Sequence, residues 1–94
     1  MKVTTGNGVI LDTDHIGAKN ANNYARNKEV EVIVAHATFP DKTESYVILE
    51  NNQPVYESTS LEGIGVQIDM MTLNKRYEAL DKLAEQAQEL DMGY

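Results

Sequence analysis

The sequence predicts a small α+β domain, in which a curved antiparallel β-meander sheet carries a C-terminal amphipathic helix on one face and a short N-terminal helix at an edge. Three observations predict it. β-Branched apolar runs separated by turn residues recur through the first seventy positions. A segment bearing alanines and asparagines, preceded by capping residues, interrupts them early. Between Leu73 and Leu90, apolar residues fall at Leu73, Tyr77, Leu80, Ala84 and Ala87, the 4-3-4-3 spacing of one stripe along a helix. No linker rich in Gly, Ser or Pro and no repeat divides residues 1–94, so a single compact domain is expected.

The elements follow in order. Val9-Ile10-Leu11, after the turn signal Gly6-Asn7-Gly8, reads as a strand or half of a hairpin. Asp12, Thr13 and Asp14 offer three successive helix N-caps, and His15 to Asn27 places Ala18, Ala21, Tyr24 and Ala25 on one narrow side of a helix. Gly17 and several asparagines weaken that helix. Val30 to Phe39 is β-branched and mostly apolar on both sides, which suits a central strand, and Pro40-Asp41-Lys42 ends it. Ser45–Glu50 and Pro54–Glu57 read as two further strands joined through Asn51-Asn52-Gln53.

The next stretch carries two conflicting signals. Thr59-Ser60-Leu61-Glu62 has the spacing of a capping box, which would start a helix. Against it, Ile64, Val66, Ile68 and Met70 alternate with Gly65, Gln67 and Asp69, and glycine costs a helix about 1 kcal/mol relative to alanine. We read a fourth meander strand over Ile64–Met70, with Thr72 or Asn74 capping a last helix that ends near Asp91.

Composition bounds the function. Fifteen acidic residues against eight basic ones give a formal charge of −7, which argues against general binding to nucleic acid or anionic lipid. With no cysteine, disulfides and cysteine-ligated zinc are excluded and a reducing compartment fits. The first residues lack the apolar stretch of a signal peptide and no run reaches the length of a membrane span, so a cytoplasmic protein without a membrane partner is expected.

Candidate chemistry is sparse. Asp12, Asp14 and His15, with His36 elsewhere, contain the ligand types of a divalent metal site, and a small metal-dependent hydrolase is the alternative reading. A third converging group from another element is needed and none can be named. There is no Gly-x-Ser-x-Gly elbow, and Gly63-x-Gly65 lacks the remaining residues of a phosphate loop. A non-enzymatic protein follows, with no catalytic residue, metal or cofactor assigned.

Two surfaces are better binding candidates. Lys19 to Lys28 contains Lys19, Arg26 and Lys28 with no acid; Lys19 and Arg26 suit phosphate, Asn23 suits a base edge and Tyr24 offers a stacking face. A small anionic, nucleotide-like ligand is expected there. The five acids Glu44, Glu50, Glu57, Glu62 and Asp69 would instead give the meander an acidic surface for a basic protein partner. A domain this small stabilises itself only modestly, and the stripe of Leu73, Tyr77, Leu80, Ala84 and Ala87, widened by Leu83 and Leu90, predicts a homo-oligomer interface.

In size, acidity, missing cysteines and lack of a catalytic signature, the chain resembles the small accessory proteins of bacterial viruses and mobile elements. That likeness is compositional, and it implies an inhibitor that sequesters a ligand or blocks a partner protein.

Overall fold

A computed structural model describes the backbone of residues 1–91 and the side chains through residue 81. Five antiparallel strands and two helices make an α+β fold, in the order β1 (Lys2–Thr4), β2 (Ile10–Asp12), α1 (Ile16–Asn27), β3 (Ile33–Thr38), β4 (Glu44–Glu50), β5 (Gln53–Ser58) and α2 (Leu61–Asp91). The strands lie side by side in sequence order, and the sheet is open at both edges.

Local chemistry explains the connections. The β1–β2 turn closes with Thr5 N–H donating to the Val9 carbonyl at 2.8 Å, and Gly8 supplies a φ of 83° that few other residues adopt. β4 and β5 meet at Glu50 and Gln53 across Asn51-Asn52, both with positive φ (53° and 65°), the pair of conformations that a two-residue type I′ turn requires and asparagine tolerates. Between β3 and β4, the Asp41 carboxylate accepts from the Thr43 N–H at 3.0 Å and its hydroxyl at 2.6 Å. These two bonds hold the Asp41 carboxyl below its ordinary range.

Both helices lie on one face of the sheet. Ala18, Ala21 and Ala25 of α1 and Ile64 and Ile68 of α2 form one core with Val34 and Ile48, with Tyr46 and Tyr56 packed beside it. The small α1 side chains let that helix approach closely. A Cβ built on Gly17 would meet the Tyr46 hydroxyl at 2.7 Å. At the start of α1 the N-cap is His15, whose Nδ1 accepts from Gly17 N–H. The three expected caps do other work: Asp12 accepts from Asp14 N–H, and Thr13 and Asp14 hold the N-terminal amine of Met1.

The expected strand over Ile64–Met70 is instead the beginning of α2, so neither Thr72 nor Asn74 starts a helix. Ser60 caps α2 by accepting from Gly63 N–H at 3.1 Å, so a helix does start in this stretch, with its cap one residue after the Thr59 of the expected box. The alternation misleads for a definite reason. Ile64 and Ile68 are four residues apart, as are Val66 and Met70, so a period of two in sequence becomes two opposite stripes on a helix. Ile64 and Ile68 are fully buried, whereas Val66 and Met70 are 54% and 52% exposed.

Candidate functional site

The second face of the sheet carries a large depression. Cross-strand register places Val3, Leu11 and Ala37 in one row and Ala35, Val47, Ile33 and Leu49 in the neighbouring rows, all pointing away from the helices. They line a trough of about 750 Å³, within the size range of small-molecule sites. Glu57, which lines it, accepts from the hydroxyl of the buried Ser45 at 2.9 Å. The apolar both-sides pattern of Val30 to Phe39 is the signal that could have found this face.

Next to it lies a second depression of about 480 Å³, lined by Lys19, Asn22, Asn23, Arg26, Met1 and Thr13 along one side of α1. The two share Met1, Thr13 and Ile33 as lining residues, and so approach each other at the edge of β3 beyond the end of β2. Helical spacing explains the grouping: positions 19, 22, 23 and 26 fall on one face. Arg26 donates to the Asn23 side-chain carbonyl, which orients the guanidinium. Asn22 is tied down differently, donating to the Val34 carbonyl at 2.9 Å and accepting from the Val34 N–H at 2.7 Å.

Three of the four expected ligand residues, Lys19, Asn23 and Arg26, therefore come together, and the fourth does not. Tyr24 turns toward α2, where its hydroxyl donates to Asp69 and Lys28 Nζ sits 5.6 Å from its ring centroid. The Asp69 carboxylate raises the Tyr24 pKa. Tyr24 thus joins α1 to α2 and offers no stacking face to the Lys19–Arg26 depression.

The residues of the alternative reading are brought close in part. His15 and His36 stack with ring centroids 4.0 Å apart and planes 8° apart, and Tyr46 meets both edge-on. Parallel stacking sets the two rings face to face instead of converging their nitrogens on one point. His36 Nε2 lies 3.3 Å from Glu44 Oε1. Asp14 is engaged by the Met1 amine, which lowers its pKa. Among the described residues, no three His, Cys, Asp or Glu side chains group as a metal ion requires.

The five acids do not share a surface. Glu44 stands beside His36 on the helix side of the sheet, Glu50 ends β4, Glu57 lines the trough, and Glu62 and Asp69 belong to α2. Of the five, only Asp69 lies in the stretch expected as a strand and found as helix.

Of the expected oligomer stripe, Leu73, Tyr77 and Leu80 are described, and they are 47%, 58% and 57% exposed. Leu83, Ala84, Ala87 and Leu90 lie outside the described side chains. The chain's own sheet does not cover these three: Lys75, on the other side of α2, donates to the Glu29 carbonyl. No helix among the described residues is long and apolar enough to cross a membrane. Compared with protein-family models, curated proteins and solved structures, the chain matches none.

Proposed function

We propose that this chain is a non-enzymatic binding protein, of the accessory type carried by bacterial viruses and mobile elements, that self-associates and inhibits a host process by sequestering a small anionic, nucleotide-like ligand. The observation that carries this reading is that the Lys19–Asn23–Arg26 depression and the apolar trough share Met1, Thr13 and Ile33 as lining. A nucleotide-like molecule needs both kinds of surface. Its phosphate meets Lys19 and Arg26, the guanidinium offering the fork geometry that suits a phosphate, and Asn23 supplies a further polar contact. Its base lies over Ile33 and Leu11, in the role first assigned to Tyr24. The curvature expected of the sheet would wrap the trough around the base.

Electrostatics favours the same place. In a chain of net charge −7, an anion is repelled by most of the surface and collects where Lys19 and Arg26 stand without an acid between them in sequence. A ligand held this way is released unchanged, which fits a stoichiometric inhibitor.

Calorimetric titration with linear and cyclic nucleotides tests the reading. Wild type and Tyr24→Phe should bind alike, while Lys19→Ala and Arg26→Ala should each weaken binding about tenfold or more, the usual worth of a charged hydrogen bond. Equal binding by all four proteins, or no binding by wild type, defeats the proposal.

A further inference from the structure

The outward stripe of α2 is longer than the interface expected from sequence. Val66, Met70, Leu73, Tyr77 and Leu80 are all roughly half exposed and follow one another at spacings of four, three, four and three. The sequence continues the series with Ala84 and Ala87. These seven positions occupy alternate d and a sites of successive heptads, with Val66, Leu73, Leu80 and Ala87 at d and Met70, Tyr77 and Ala84 at a. The seam runs along the side of α2 opposite Ile64 and Ile68, which are fully buried against the sheet. It therefore stays open over the part of α2 that the body supports as well as over the part beyond.

We propose that this seam is closed by the α2 of a second copy, in a parallel, in-register, two-stranded coiled coil. The inference rests on the self-association in the reading above and adds its surface, its strand number and its direction. A sustained heptad series specifies a helical partner, and a two-fold pair is the commonest closed arrangement of identical chains. Charge fixes the direction. Arg76 precedes Tyr77 at a g position and Asp81 follows Leu80 at an e position, five residues on. In a parallel pair, g of one helix faces the following e of the other, so Arg76 meets Asp81 of the partner subunit twice across the two-fold axis. In an antiparallel pair g meets g and e meets e, and that match is lost. Because each sheet lies behind its own helix, the two bodies sit outside the helix pair and both troughs remain open.

Light scattering should show a dimer at micromolar concentration. The chain has no cysteine, so Val66→Cys introduces a single thiol at the first seam position. Mild oxidation should convert that variant to a disulfide-linked dimer, since a parallel register brings the two positions together, whereas an antiparallel one holds them about 30 Å apart. Arg76→Asp and Asp81→Arg should each weaken dimerisation about tenfold, and the double exchange should restore it. Arg76 and Asp81 are exposed, so circular dichroism should show all three variants folded. A wild-type monomer overturns both this inference and the self-association beneath it. A trimer or tetramer, a dimer whose Val66→Cys variant fails to cross-link, or a double exchange that restores nothing overturns the parallel pair alone.

Discussion

The Asn22 side chain makes two hydrogen bonds to the backbone of Val34, one to its N–H and one to its carbonyl, and so completes the sheet where β2 stops. β2 pairs with β3 only as far as Asp12 opposite His36, leaving Val34 without a strand neighbour on that side. An amide carries one donor and one acceptor at the spacing a strand would offer. Asn22→Ala should therefore cost about 1–3 kcal/mol, because both half-buried backbone groups of Val34 lose their partner. Asn23→Ala, at an exposed position one residue on, should cost less than about 0.5 kcal/mol. Urea melts of the two variants make the comparison, and equal losses would deny Asn22 this role.

Gly17 and Gly65 should respond to alanine in opposite directions. At Gly17 the added methyl would stand 2.7 Å from the Tyr46 hydroxyl and 3.0 Å from Leu61 Cδ1, and Tyr46 is wedged against the stacked His15 and His36 rings. The clash should outweigh the gain in helix propensity and destabilise by about 1–2 kcal/mol. At Gly65 nothing lies within 4 Å of the built Cβ, so Gly65→Ala should stabilise α2 by up to about 1 kcal/mol. Thermal melts of both variants read the signs directly.

The Tyr24–Asp69 contact makes a pH prediction. Its phenol donates to a carboxylate, which raises the Tyr24 pKa. A raised folded pKa means the contact stabilises fully below the unfolded value of about 10 and is lost as pH rises through the folded one. An alkaline titration followed by NMR of labelled tyrosine should find Tyr24 titrating above an ordinary tyrosine. Asp69→Asn should return it toward the ordinary range. An unchanged midpoint in Asp69→Asn would mean the contact does not form in solution.

Much of the fold was legible because local chemistry and tertiary packing agree. The paired asparagines of the β4–β5 turn, the alanine side of α1 and the apolar run of β3 each point to the observed element. The failure at Ile64–Met70 shows what local pattern leaves open. A helix apolar on two opposite sides and a strand apolar on one share the same alternation over seven residues. The Ser60 cap and the position of Ile64 and Ile68 over Val34 and Ile48 decide between them, and the second of these exists only in the fold. At the candidate site, Lys19, Asn23 and Arg26 were found by charge and residue type, and helical spacing keeps them together. Tyr24, adjacent to them in sequence, faces α2 instead, because linear proximity takes no account of which helix face a residue occupies.

The two halves of the proposed ligand site should be separable by salt. If Lys19 and Arg26 hold the anionic group, affinity for a nucleotide should fall as ionic strength rises, since exposed charges are screened over about 8–10 Å at moderate salt. Lys19→Gln with Arg26→Gln should weaken binding and flatten that dependence together. Leu11 contributes only apolar surface to the trough. Leu11→Ala should cost about 2 kcal/mol of folding stability or more and weaken the nucleotide, while leaving the salt dependence unchanged. Circular dichroism at the titration temperature shows that the variant is folded when it is measured. Should Leu11→Ala bind as wild type does, the base does not enter the trough, and the site reduces to the cations of α1. Should the double glutamine variant keep the full salt dependence, the phosphate lies elsewhere and the pairing of a cationic depression with an apolar trough fails as the basis of binding.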